Sequence, residues 1–219
     1  MSSLRKSELL GNVSRGRARR EGGLRRGGAI SRRAFCAAAA AWAAGAAQWA
    51  LGQEGQFLTE AEAPRAVFPD LTAVGWRRVV ATPEIREAMR ARLGRTRPSI
   101  WEPAYPVAEV RRADAPLGHA VIVEEIGKHR PITFVVGVGR EGAVAGVAVM
   151  AYREAYGGEV RERRFLAQYR GKALRDPMLP FRDIRNISGA TLSAEAIGRG
   201  VRKALALLAA LGLANGDGG

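Results

Sequence analysis

The sequence predicts an α+β domain, with a mainly antiparallel sheet and flanking helices. Residues 132–138 and 143–151 are rich in β-branched residues and are separated by only four residues, 139–142, two of which are glycine. This arrangement is typical of a hairpin. A further β-rich run lies at 119–126, and apolar residues recur at helical spacing from Ser193 onward. The hairpin gives the sheet its antiparallel character, and the helical repeat supplies a helix to cover it.

The first 53 residues are predicted to be an export signal with a basic leader. Arg32 and Arg33 are followed by Phe35 and by an Ala-rich run without charge that continues to Gly52. Paired arginines, a nearby aromatic residue and a weakly apolar run are typical of a twin-arginine signal. The run is shorter than the roughly 20 residues that a membrane span requires. We therefore expect the mature chain to be periplasmic, or to lie on the outer face of the cytoplasmic membrane.

Charge and cysteine content narrow the possible functions. The chain has 35 basic and 21 acidic residues. Residues 1–53 hold ten of the basic residues but only two of the acidic ones. The remaining net charge of about +6 is ordinary for a solvated surface, so no nucleic-acid role is predicted. The only cysteine, Cys36, lies in the leader. With only His119 and His129 as histidines, we predict no metal site in the mature domain.

Residues 54–118 are interpreted as the N-terminal part of the mature domain. Thr59 and Glu62 have the spacing of a capping box, which predicts a short helix that Pro69 ends. Residues 73–81 indicate a strand, and Pro83 begins a charged helix that reaches Gly94. Three prolines between 96 and 106 predict a loop there.

Residues 119–213 are interpreted as the core of the domain, and 214–219 as a flexible tail. After the hairpin, 152–160 is predicted to be a turn and 161–170 a short amphipathic helix, followed by a loop at 176–187. The last helix is predicted to run from Ser193 to near Gly212. The residues expected on the inner faces of these two helices are Phe165, Leu166, Tyr169, Ile197, Val201, Leu205 and Leu208.

The turn Ser188-Gly189-Ala190-Thr191 leads into that last helix. A helix N-terminus presents unpaired backbone N–H groups and a partial positive charge, which favour a phosphate. Gly189 permits close approach of a ligand, and the hydroxyls of Ser188 and Thr191 can donate to phosphate oxygens or be esterified by them. The alternative is an ordinary helix cap, for which Ser and Thr are common.

The stretch 186–193 resembles the flavinylation motif of the FMN-binding domain family. That family includes the flavin-bearing C subunit of sodium-translocating NADH:quinone oxidoreductase and the G subunit of the Rnf complex. The resemblance extends over roughly residues 120–210, because the strand pair, the glycine turn and the final helix follow the family's order. It implies that a flavin transferase attaches FMN through its phosphate to Thr191. It also implies that Ser188, Gly189, Ala190 and Leu192 surround the attached group.

Two further features follow from the resemblance. In the turn after the hairpin, Glu154, Tyr156, Gly157 and Gly158 are candidates to line the flavin ring, the alternative being a turn that only ends the strand. The family motif usually has an acidic residue three positions before the serine. This chain has Arg185 there, with Asp183 two positions earlier.

The resulting hypothesis is an extracytoplasmic electron-transfer flavoprotein with covalent FMN. The expected partners are the transferase and a membrane-bound or periplasmic redox protein. No acid–base constellation is present, so no catalytic residue is predicted and a carrier is favoured over an enzyme. Two alternatives remain open: a flavin-free binding or sensory module of the same fold, and a flavin-dependent reductase of a small acceptor.

Overall fold

The computed structural model describes residues 55–214 and contains one antiparallel sheet with helices on both faces. The predicted export signal and residues 215–219 of the predicted tail lie outside the described residues. The α+β prediction is confirmed, because every neighbouring pair of strands is antiparallel. The sheet includes strands from both the 54–118 and the 119–213 parts of the chain.

The sheet has six strands in the order β1-β6-β5-β4-β3-β2. Strands β2 to β6 therefore follow one another through the sheet as a meander, and β1 adds two residues beside β6. Their bounds are β1 Gly55–Gln56, β2 Ala73–Val80, β3 Ala104–Arg112, β4 Ala115–Ile126, β5 Pro131–Gly139 and β6 Val144–Tyr152. The predicted hairpin is confirmed as β5 and β6.

In the described part of the chain, four α-helices accompany the sheet: α1 Ala63–Val67, α2 Pro83–Leu93, α3 Arg163–Leu166 and α4 Thr191–Ala210. The capping box before α1 is confirmed, since the N–H and hydroxyl of Thr59 both donate to Glu62 Oε2, at 2.9 and 2.8 Å. Helix α2 begins with Pro83 after Thr82, whose hydroxyl accepts from the backbone N–H of Ile85. None of the helices in residues 55–214 is long and apolar enough to cross a membrane.

The two faces of the sheet carry separate hydrophobic cores. The larger core packs α4 and α2 against one face, with Phe134 and Tyr105 among its fully buried side chains. The smaller core packs α1 against the other face through Val67 and Phe68. All the residues predicted for the inner faces of 161–170 and the last helix are buried, which confirms the helical periodicity.

The largest correction concerns β3 and β4. The loop predicted at 96–106 ends at Pro103, because β3 starts at Ala104 and includes Pro106. Pro106 pairs with β2, whereas the pairing of β3 with β4 starts only at Val107, so its missing N–H disturbs one side of the strand at most. Strand β4 begins at Ala115 instead of residue 119.

Two smaller corrections affect the segment before the site. The helix predicted at 161–170 is instead three short pieces: a 3-10 helix at Gly158–Arg161, then α3, then a 3-10 helix at Ala167–Tyr169. The last helix starts at Thr191, two residues earlier than predicted. Thr191 therefore belongs to the first turn of α4.

Candidate functional site

The turn before α4 leaves the N-terminus of that helix uncapped by side chains. Ala190 occupies the N-cap position, and no side-chain hydrogen bond caps the helix. The first turn also contains no acidic residue that would repel an anion. Gly189 has φ +81°, a conformation that L side chains rarely adopt. Neither Ser188 nor Thr191 therefore caps the helix through its side chain. The backbone amides of the first turn remain available to an anion.

The hydroxyl of Thr191 lies in a defined polar contact. Asn186 Nδ2 donates to Thr191 Oγ1 at 2.8 Å, and both residues are half-buried. Asn186 Oδ1 is buried without a partner among the described residues. The Asn186 side chain thus positions the Thr191 hydroxyl, and its amide oxygen remains without a hydrogen-bond partner beside the motif.

The turn that follows β6 packs directly against the motif. A Cβ on Gly157, which has φ +79°, would lie 3.3 Å from the Cα and Cβ of Ala190, so only glycine allows this approach. The Tyr152 hydroxyl donates to the backbone oxygen of Tyr156 at 2.5 Å and lies 3.0 Å from Ser193 Oγ on α4. Tyr152 therefore fixes the glycine turn to the start of α4.

Glu154 is buried and directed toward the turn between β4 and β5. Its Oε1 accepts the backbone N–H groups of His129 at 2.5 Å and Arg130 at 2.9 Å. Burial alone would raise the pKa of Glu154, but the backbone hydrogen bonds from Arg130, His129 and Lys128 outweigh it and hold the pKa below its usual value. Its observed contacts are those of a residue that caps a turn.

The other predicted ring contacts lie at the surface. Tyr156 is 71% exposed and Leu192 is 47% exposed, so both side chains present apolar surface to solvent. Gly158 lies beside the Arg161 guanidinium, and Ser188 is exposed. The glycine turn and the start of α4, which Tyr152 joins, thus both expose apolar surface. A bound flavin ring would require such a surface.

A cavity of about 360 Å³ lies next to the motif. Its lining includes Asn186 and Ile187 from the loop before the motif, and Arg164 and Phe165 from α3. Gln168 shapes this wall, because its side-chain oxygen accepts from the backbone N–H of Arg185 at 2.7 Å and its amide donates to the Arg185 carbonyl at 3.3 Å. This volume is within the range of small-ligand sites.

The two charged residues before the motif have different environments. The Arg185 side chain is exposed and lines the cavity. Asp183 forms an ion pair with Lys172 at 2.8 Å and accepts the backbone N–H groups of Met178 and Leu179. Those bonds outweigh its partial burial and keep the pKa of Asp183 below its usual value. Asp183 is therefore engaged within its own loop and is not free to replace the acidic residue of the family motif.

Comparison with known protein families identifies the domain. The model of the FMN-binding domain matches residues 127–206, from the turn between β4 and β5 into the last part of α4. The chain carries an FMN-binding domain. FMN is accordingly its cofactor class, as the resemblance implied. The match includes both the motif at 188–191 and the glycine turn at 157–158. No curated protein matches the chain.

Sequence reasoning found the motif of this FMN-binding domain but missed the residues that position it. Asn186 bonds to Thr191, Tyr152 contacts Ser193, and Gln168 holds the backbone of Arg185 just before the motif. These contacts depend on the path of the 170–187 loop and on the sheet. Only the polar character of Asn186 within the motif region offered a signal in advance. In the structure Gly157 lies close to Ala190, whereas Glu154 bonds to a different turn.

Proposed function

We propose that this protein is an extracytoplasmic electron-transfer flavoprotein that carries FMN covalently on Thr191. The observation that carries the proposal is the position of Thr191, in the uncapped first turn of α4 within a matched FMN-binding domain. The twin-arginine pattern at Arg32 and Arg33 supports export. A covalent link suits such a location, because released cofactor would be lost by diffusion.

The residues present fit an FMN phosphoester. The backbone N–H groups of the first turn of α4 are oriented to donate to phosphate oxygens, and the helix dipole favours the negative charge. Arg185 adds a cation at the edge of the same site. Exposed Tyr156 and Leu192 provide apolar surface that a ring system would cover. The flavin supplies reversible electron uptake when bound, and the protein supplies its placement at the surface.

Attachment by the flavin transferase would join Thr191 Oγ1 to the FMN phosphorus of FAD, with cleavage of the phosphoanhydride bond and release of AMP. The hydroxyl proton would pass to a base of the transferase. Asn186 holds the Thr191 oxygen in place through its 2.8 Å contact. The electron donor and the electron acceptor of the flavinylated protein would each be a membrane-bound or periplasmic redox protein.

Intact mass spectrometry tests the proposal directly. The exported chain is coexpressed with a flavin transferase, alongside Thr191→Ala and the control Thr133→Ala, whose hydroxyl lies on β5. We expect the wild type and the control to gain the mass of FMN less water and to retain flavin absorbance after denaturation. Thr191→Ala should gain nothing. An unmodified wild type would contradict covalent attachment, and flavin lost on denaturation would indicate a non-covalent flavoprotein.

A further inference from the structure

A groove of about 790 Å³ shares Arg164 of α3 with the cavity beside the motif. Residues of α1, β6, α3 and the following 3-10 helix form its walls. Its apolar lining includes Leu58, Val147, Val149 and Leu166. We call it the arginine groove, because five arginines surround it: Arg65, Arg161, Arg163, Arg164 and Arg170.

The charge of the arginine groove is uncompensated by its lining. The lining contains no aspartate or glutamate, and among residues 55–214 no carboxylate forms an ion pair with any of the five arginines. Arg161 instead lies 4.6 Å above the ring of Phe57, and Arg170 Nε donates to the Ala145 carbonyl at 3.0 Å. Five neighbouring arginines that form no ion pair among the described residues give the concave site a positive potential.

One wall of the groove is an exposed strand edge. Residues 146–149 of β6 pair with β5 on one side, but on the other side no strand of the described residues lies next to them, since β1 reaches only Ala151 and Tyr152. The edge is closed at both ends. Residue Met150 accepts backbone N–H groups from 57 and 58, and Val144 exchanges backbone bonds with 171 and 172. A four-residue window therefore remains open to an added strand.

We propose that the arginine groove binds an extended acidic segment of a partner protein, which pairs with the edge of β6 at residues 146–149. The strand edge offers main-chain hydrogen bonds, the partly exposed Leu58 and Ala148 offer apolar contacts, and the arginines can donate to the partner's carboxylates. A flat anionic bilayer fits less well, because the positive charge and the strand edge lie inside a concave groove.

The arginine groove lies beside the candidate site, so a bound partner would be close to that site. Arg164 lines both the arginine groove and the cavity beside the motif. Arg161 also lies 5.7 Å above the ring of Tyr152, whose hydroxyl contacts Ser193 near the start of α4. A partner held in the groove would thus contact Arg164, which also lines the cavity beside the motif. Binding itself needs no flavin, so this inference stands or falls separately from covalent attachment.

Peptide binding to the unmodified chain tests the inference. The probe is a fluorescein-labelled peptide of alternating glutamate and valine, titrated in fluorescence anisotropy at low and high salt. The groove variant is Arg65→Glu with Arg163→Glu, one exposed arginine from each wall. The matched control is Arg95→Glu with Arg140→Glu, both exposed and outside the groove. We expect at least about tenfold weaker binding for the groove variant and little change for the control.

Two comparison probes separate the mode of binding. A peptide of the same charge that is N-methylated along one edge should bind weakly, because it cannot pair with β6. Vesicles with anionic lipid should not compete with the peptide. Equal weakening by the groove and control variants, full binding of the N-methylated peptide, or competition by the vesicles would each overturn the inference. Circular dichroism of both variants confirms that they are folded.

Discussion

At the scale of single residues, Glu154 is a structural anchor with a measurable pH signature. Only 5% of it is exposed, and it accepts backbone N–H groups from the turn between β4 and β5. Glu154→Gln keeps the size but removes the charge from these hydrogen bonds. We expect the free energy of unfolding at pH 7 to fall by about 1–3 kcal/mol, measured by urea denaturation. Glu141→Gln, a substitution in the turn between β5 and β6, is the control.

The pH dependence of that difference follows from the direction of the shift. The folded-state pKa of Glu154 lies below its ordinary value of 4.5, so its stabilisation is present above that value and is lost as pH falls through the folded pKa. The gap between wild type and Glu154→Gln should therefore shrink as the protein is acidified below about pH 4. A gap that stays constant down to pH 3 would mean that the charge of Glu154 contributes nothing.

At the scale of elements, the contact between α4 and the sheet depends on a glycine. A Cβ on Gly200 would overlap the ring of buried Phe134 on β5 and lie 3.1 Å from Glu125 Cγ on β4. Gly200→Ala should therefore destabilise the fold by about 2–3 kcal/mol, because α4 must move away from the sheet. In thermal denaturation the control Gly75→Ala, on β2 with no atom within 4 Å of the added Cβ, should change little. An unchanged melting temperature for Gly200→Ala would contradict this packing.

The elements also show what the sequence predicted and what it did not. The β5–β6 hairpin and the periodicity of α4 were predictable, since glycines mark the turn and apolar residues repeat at helical spacing. Strand β3 was missed because Pro106 is normally excluded from strands, and its turn into β4 has Ala113 at φ +49° where glycine or asparagine would be expected.

The candidate site likewise has features that the sequence predicted and features that it did not. The motif could be predicted because an anion-binding turn requires particular residue types in sequence. The contact of Asn186 with Thr191 and the approach of Gly157 to Ala190 could not, since they depend on how distant segments pack together. Local pattern therefore located the reactive residue, and only the tertiary structure identified its neighbours.

At the scale of the whole molecule, a buried ion cluster joins three parts of the fold. Lys203 on α4 is fully buried, and its Nζ lies 3.0 Å from Glu102 in the segment before β3 and 3.0 Å from Glu125 on β4. Nζ also donates to the backbone oxygens of Ile100 and Glu124, at 2.9 and 2.6 Å. This cation thus lies between two carboxylates and connects α4 to the sheet and to the segment beside it. Arg199, also on α4, pairs with the second oxygen of Glu125 at 3.4 Å.

Removing that cation should affect the whole domain. Lys203→Met leaves the fully buried Glu125 and the mostly buried Glu102 without their shared partner, and we expect a loss of about 3–5 kcal/mol in urea denaturation. Lys128→Met, at an exposed lysine, is the control. Adding Glu125→Gln to Lys203→Met should destabilise less than the sum of the single changes, because the second substitution removes a buried charge that has lost Lys203 and retains, among residues 55–214, only Arg199 as an ion-pair partner. Additive effects would show that Lys203 and Glu125 do not act as a pair. The polar connection between α4 and β4 would then depend on the bonds to the Glu124 and Ile126 carbonyls.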